Sequence, residues 1–419
     1  MSGPDVLDLF PQGTHLDGDG TLLVGGCRLD DLAAEFGTPT MVVDEGALRR
    51  RAREYLHEFR SRWPRSDVAF ASKSFPCTAI QRLMTEEGLH LDVAGGGEII
   101  TALAAGADPA RLVLHGNAKN DEELELAVRC GVGLVVVDNF DDIDRLERIV
   151  APGHTQPCLV RVIPGVEAAT HAAVATGHAG SKFGLMPDDA RRAITRIGRS
   201  GKLRCDGLHT HVGSQLLNVE QLAAAVAPLA TLGTFDVYDL GGGLGVRYTY
   251  DEQPPSVAAY AEAMAAAAEA LLPKNSRIIV EPGRSMVATA ACTVYRVTTV
   301  KHGELTHVAV DGGMGDNLEV SLYGQRFEAT IVSRVGGGAP VNLVGRHCES
   351  GDQLIDGVPL RDPKVDDLVA VPVTGAYCYT MANQYNGARR IPVVFADGGT
   401  ARLVVRRDTW DDLLARDVT

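Results

Sequence analysis

The strongest constraint on this chain is an alternation. Eight short apolar, β-like runs, near residues 66–72, 89–94, 110–115, 133–138, 157–163, 204–210, 234–240 and 276–281, are interleaved with stretches rich in Ala, Leu, Glu and Arg. Those stretches, among them 97–106, 120–130, 186–199, 218–231 and 253–272, carry apolar residues at the 3.6-residue period of a helix packed on one face. Strands joined through helices run parallel, and eight such units close most simply into a (β/α)8 TIM-type barrel of about 250 residues. An open doubly wound sheet is the alternative that the same pattern permits.

From about residue 286 the pattern changes to Val-, Thr- and Arg-rich runs broken by glycine, at 292–300, 307–310, 368–373, 392–395 and 401–405. These read as a second, mostly antiparallel β domain. The expected organisation is an N-terminal segment, 1–45, lending strands near 21–24 and 39–43 to that β domain, an α/β barrel over 46–285, and the β domain over 286–419.

Charge and cysteine placement narrow the partners. A net charge of −14 repels phosphate-rich surfaces at long range, so neither nucleic acid nor an anionic membrane is expected, and a small metabolite is. The eight cysteines, at 27, 77, 130, 158, 205, 292, 348 and 378, form no CxxC pair and no zinc-like spacing. Reduced thiols in a cytoplasmic protein without a metal site are the expectation. The first thirty residues hold Asp5, Asp8, Asp17 and Asp19 and no basic region leading into an apolar run, so no signal peptide is read, and no 18-residue apolar stretch could span a membrane.

In a parallel barrel, function gathers where strands end. Those ends hold Lys73, Asp92, His115 with Asn117, Asp138, Arg161, His209 and His211, Gly241-Gly242-Gly243, and Glu281-Pro282-Gly283-Arg284. Lys73 closes the run Val68-Ala69-Phe70-Ala71-Ser72 with only small or aromatic neighbours. A lysine desolvated there would present a neutral amine for Schiff-base chemistry, whereas a solvated lysine merely ends a strand. The glycine triplet lets backbone N–H groups approach a phosphate, or simply makes a tight turn, and its spacing is not that of a dinucleotide-binding loop. Glu281 needs a cation if buried, and Arg284 either meets it or binds a substrate carboxylate.

Six spaced motifs, Ala71-Ser72-Lys73, His209-Thr210-His211-Val212-Gly213-Ser214-Gln215, Gly241-Gly242-Gly243, Glu281-Pro282-Gly283-Arg284, Cys348-Glu349-Ser350-Gly351-Asp352 and Gly375-Ala376-Tyr377, run in order along the chain. Together they resemble the fold-type III, alanine racemase-like, PLP-dependent decarboxylases, most nearly the diaminopimelate decarboxylases. The resemblance spans about residues 35–415 and implies the barrel-plus-β-domain fold, pyridoxal 5'-phosphate as cofactor, and conversion of meso-2,6-diaminopimelate to L-lysine and CO2.

By the same resemblance, Lys73 carries the cofactor, His211 stacks on its ring, and Glu281 pairs with the ring nitrogen. Ser214, Gly242, Gly243, Gly283, Arg284 and Tyr377 surround the phosphate, and Asp92 also lines the cofactor site. Arg284, Tyr323, Glu349 and Tyr377 meet the amino-acid substrate. Cys348 enters the neighbouring subunit's site as a proton donor, which makes a homodimer with shared active sites a requirement. One position departs from the family. Glu319 stands where these enzymes usually carry an arginine that helps hold the substrate's distal carboxylate, and a carboxylate at contact distance would repel it by about 1–4 kcal/mol in a wet site. Arg326 or Arg389 could compensate. Otherwise the substrate would be a lysine- or ornithine-like basic amino acid. A catalytically inactive regulator is the reading from another class, against which the presence of Lys73, His211, Glu281 and Cys348 counts.

Overall fold

The computed structural model describes residues 6–165 and 180–418, so residues 1–5 of the N-terminal segment lie outside the described residues. The chain divides into two compact units: residues 51–246 with 254–285, and residues up to 50 with 247–253 and 286–419.

The first unit is a closed barrel of eight parallel strands in sequential order. They are β1 Ser66–Ala71, β2 His90–Val93, β3 Leu112–Leu114, β4 Leu134–Val137, β5 Gln156–Arg161, β6 Leu203–His209, β7 Val237–Asp239 and β8 Arg277–Val280, and β8 pairs back to β1 through Val280 and Val68. All eight apolar runs are therefore strands, and closure rules out the open sheet. Ala69, Val113, Leu134, Val136, Leu159, Val237 and Ile279 fill the interior as one buried cluster, so the barrel is a packed core and not a pore.

Local chemistry sets the helix ends. Asn120 accepts from the Glu123 N–H while Glu123 reaches back to the Asn120 N–H, a capping box that starts Asp121–Cys130, and Gly131 at φ 80° stops it. The alanine-rich helix Val257–Leu271 is started by the Ser256 side chain and buries Val257, Tyr260, Ala261, Met264 and Ala268. Glu262 and Glu269 face out, as its period requires.

The second unit is built on a nine-stranded, mostly antiparallel sheet. Its spine is the 11-residue strand Ala291–Lys301, which pairs antiparallel with Thr40–Asp44, Leu368–Pro372 and His307–Val310. Two parallel pairings interrupt the pattern, Thr40–Asp44 with Val393–Asp397 and His307–Val310 with Ala339–Val344. Of the two N-terminal runs expected to join this sheet, only Thr40–Asp44 does. Leu22–Val24 instead pairs with His15–Leu16 and Cys27–Arg28 in a separate three-stranded sheet. Its Leu22 and Val24 still share one buried cluster with Val42, Cys292, Val294 and Val394. Burial against the sheet, without pairing to it, satisfies the same apolar residues.

A further correction concerns residues 318–323. The offset of seven residues would put Arg326 on the opposite face from Glu319 in a continuous strand, but Leu318–Tyr323 is a helix that Gly324 ends in the left-handed conformation at φ 63°.

Candidate active site

The polar residues of the barrel unit converge at the C-terminal ends of its strands. Lys73 lies one residue into a single 3-10 turn, Ser72–Ser74, just past β1. The turn is pinned by the Phe75 N–H to the Ser72 carbonyl at 2.9 Å and by the Ser74 hydroxyl to the Ala71 carbonyl at 2.8 Å. Its flanking residues Ser72 and Ser74 are buried while Lys73 itself is exposed. Its ammonium nevertheless acts on the buried His211, whose pKa it helps to lower.

The hub of the site is Glu281, one residue past β8 and buried. Its Oε2 lies 3.3 Å from His209 Nε2 and its Oε1 2.6 Å from His115 Nε2. The donor atoms of His115, His209, Asp239 and Glu281 all lie within 4.8 Å of one another. Burial alone would raise the Glu281 pKa, but the two imidazoles outweigh it and hold the carboxyl well below its usual range. His115 is pulled down by burial and up, with the larger effect, by Glu281 and Asp92. Burial drives His209 down to about 3, leaving it a neutral ring, and lifts the buried Asp92 and Asp239 carboxyls. The cluster thus sets a carboxyl held towards its ionised form against one histidine held towards its protonated form and a second, neutral histidine, in a dry setting.

His211 stands beside this hub on the residues after β6. Its Nδ1 accepts from the Gly242 N–H at 3.2 Å, and burial followed by the nearby Lys73 ammonium lowers its pKa well below the ordinary value. The buried Arg284 donates through Nε to the Ser214 hydroxyl at 3.2 Å. The glycines here are a matter of space. A Cβ at Gly242 would sit 2.0 Å from the Glu281 carbonyl oxygen, and one at Gly283 would sit 3.0 Å from Ala71 Cβ. Lys73, Asp92, His211, Ser214, Gly242, Gly243, Glu281, Gly283 and Arg284 all belong to this one unit.

Cys348, Glu349, Tyr323 and Tyr377 belong to the other unit. Cys348 is exposed, and its N–H donates to Asn386 Oδ1 at 2.7 Å. The loop is tied by Asp352, which accepts from the N–H groups of Met314 at 2.6 Å and His347 at 2.7 Å. Tyr323 and Tyr377 are partly exposed. Tyr377 has φ 63° and Val373 φ 62°, left-handed values that bulky and β-branched residues rarely hold, bracketing Gly375. Glu319 is buried and accepts from the Tyr248 hydroxyl at 3.4 Å. Arg326 binds Asp251 at 2.8 Å, and Arg389 stacks on Trp410 at 4.4 Å.

Residues 45–288 match the family model described as "Pyridoxal-dependent decarboxylase, pyridoxal binding domain". A diaminopimelate decarboxylase of Actinosynnema pretiosum subsp. auranticum is 45% identical over 433 residues, covering 100% of this chain and 98% of the relative. The chain belongs to the diaminopimelate decarboxylase family. Another member, from Bacillus subtilis, is 40% identical over 434 residues and 98% of each chain. Among solved structures, diaminopimelate decarboxylase from M. jannaschii in complex with L-lysine matches with a TM-score of 0.91 at 28% identity, over 98% of each chain. Members of this family depend on pyridoxal phosphate, and the barrel mouth fits that group. Among the described residues, the buried Glu281 Oε1 accepts no aligned hydrogen bond, although His115 is close, so an acceptor is left for a protonated ring nitrogen. His209 Nδ1, Thr210 Oγ1 and Asp239 Oδ2 are likewise buried without a hydrogen-bond partner among the described residues. Such clustering of unsatisfied polar atoms is characteristic of a functional site.

Reasoning from sequence named His115, His209 and Asp239 only as residues in or beside strand ends, without a role, or not at all. The available signal was their common position at the ends of β3, β6 and β7, next to a carboxylate that needs cations.

Proposed function

We propose that this chain decarboxylates meso-2,6-diaminopimelate to L-lysine and CO2 with pyridoxal 5'-phosphate held at the barrel mouth. The observation that carries this reading is the pairing of full-length identity to diaminopimelate decarboxylases with an ionised, buried Glu281 facing the mouth that also holds Lys73. When bound, pyridoxal phosphate supplies the electron sink that makes loss of CO2 from an amino acid's α-carbon feasible. The chain's residues then divide the remaining work. Lys73 is the amine for covalent attachment. Lys119 is unsuited to that task because it is buried in an ion pair with Asp142 at 2.8 Å. Glu281 keeps a proton on the ring nitrogen, and His211 covers one ring face. Ser214, Gly243, the 282–284 turn and Tyr377 bind phosphate, while Arg284 takes a substrate carboxylate with its planar fork.

Cys348 gives the proton to the α-carbon after CO2 leaves, and Glu349 meets the far amino group. In this proposal both act in the partner subunit's site, so the working enzyme is a homodimer. Cytoplasmic placement accords with eight unbridged cysteines, and no helix of the structure is long and apolar enough to cross a membrane. Diaminopimelate is kept as the substrate on the reading that Glu319, buried and accepting from the Tyr248 hydroxyl, does not meet the distal carboxylate. The test is to supply meso-diaminopimelate to the cofactor-loaded protein. Lysine and CO2 should form in equal amounts and vanish in Lys73→Ala, and retained turnover in that variant would refute the assignment of Lys73.

A further inference from the structure

We propose that His115 is the positioning residue for Glu281: its imidazolium orients the carboxylate and supplies the countercharge that keeps it ready to meet the cofactor's ring nitrogen. This rests on the proposed role of Glu281, and the test separates the two. His115 closes β3 at the barrel mouth, and its side chain is buried. Its Nε2 approaches Glu281 Oε1 to 2.6 Å and Asp92 Oδ1 to 3.7 Å, from β8 and β2 respectively. At 2.6 Å the contact joins charge attraction to hydrogen-bond reach, and the second lone pair of that oxygen is left to accept from another donor.

A second histidine does not do the same job. His209 reaches the other oxygen at 3.3 Å, and its ring stands edge-on to His115 with centroids 4.8 Å apart. Two imidazolium rings this close would repel, so one carries the charge. The groups facing His115 are the carboxyls of Glu281, Asp92 and Asp239, the cation Arg161 at the end of β5, and the ring of His209 on β6. Burial lowers the affinity of His115 for its proton, yet the two carboxylates exceed that effect. His209, with one carboxylate contact and the same burial, stays neutral. Glu281 therefore has a charged clamp on one oxygen and a neutral donor on the other.

The arrangement predicts a specific phenotype for His115→Gln. Binding of pyridoxal phosphate to the apo protein is compared with binding of its 1-deaza analogue, whose ring has carbon in place of the nitrogen. Wild type should prefer pyridoxal phosphate by at least about tenfold, roughly one charge-assisted hydrogen bond. In His115→Gln the preference should fall towards unity while phosphate-dependent binding of both ligands persists. Equal weakening of both ligands, with the preference intact, would show that His115 is only structural. Lack of preference in wild type itself would instead overturn the role given to Glu281. As a measurement that needs no variant, nitrogen NMR of histidine-labelled apo protein at pH 7.5 should show His115 with both ring nitrogens protonated and His209 with one. A neutral His115 would overturn the proposal.

Discussion

Gly242→Ala adds one methyl group to the chain at the most crowded point of the barrel mouth. The new Cβ would lie 2.0 Å from the Glu281 carbonyl oxygen and 2.8 Å from its carbonyl carbon, against the 3.0 Å that real Cβ atoms essentially never undercut. Both atoms belong to backbone, and the neighbouring Glu281 N–H already donates to the Gly241 carbonyl at 2.8 Å, so no rotamer change can relieve the clash. The ends of β7 and β8 must move apart by about 1 Å, at the upper end of the roughly 1–3 kcal/mol cost of overpacking. A shift of that size at a group that must meet the cofactor costs about 100-fold in rate. The assay is turnover and cofactor content per chain, alongside thermal melting. Gly198→Ala is the matched control: Gly198 lies in the helix Pro187–Arg199 with nothing within 4 Å of its added Cβ, so the same methyl should stabilise by about 1 kcal/mol. Wild-type cofactor content and turnover in Gly242→Ala would refute the steric account of the triplet.

Two further outcomes follow from the site. Because burial holds His209 neutral down to about pH 3 while the unfolded chain protonates it near the usual 6.5, its contribution to stability is present above pH 6.5 and lost as pH falls towards 3. Chemical unfolding across pH 7 to 4 should show wild type losing about 1.4 kcal/mol per pH unit more than His209→Gln below 6.5, and parallel curves would contradict this. If Cys348 serves the partner's site, mixing inactive Lys73→Ala with inactive Cys348→Ala chains should restore activity, with one of the two sites in each heterodimer intact by two-fold symmetry. Absence of recovery after demonstrated subunit exchange would place Cys348 in its own chain's site or leave it structural.

The barrel was legible because period-2 and period-3.6 apolar patterns alternate cleanly, and all eight runs are strands of it. Lys73, Glu281 and the glycine triplet stood out for a related reason, since parallel strands bring their ends together whatever the loops do. The second unit was less readable. The strand Gln353–Leu360 contains Gly357 at φ 67° and Pro359, residues that argue against a strand, and pairing with Ala339–Val344 is sustained across register shifts that sequence does not encode locally. The helix Leu318–Tyr323 is not signalled in the sequence, where Val320 and Leu322 alternate with polar residues as a strand would. Its Gly324 stop becomes visible only once the turn's left-handed backbone is seen. Long-range charge pairing was likewise hidden. No sequence spacing links His115 to Glu281 or Tyr248 to Glu319.

The measurement that tests the central claim most directly is a competition between meso-diaminopimelate, D- and L-lysine and D- and L-ornithine, read as kcat/KM for CO2 release by wild type and by Glu319→Arg. On the proposal that Glu319, which accepts from Tyr248, does not meet the substrate, wild type should decarboxylate meso-diaminopimelate in preference to every mono-carboxylate diamine, and the arginine variant should not improve on it. The contrary result, a wild type that ignores diaminopimelate yet decarboxylates lysine or ornithine and an arginine variant that reverses the order, would contradict the account.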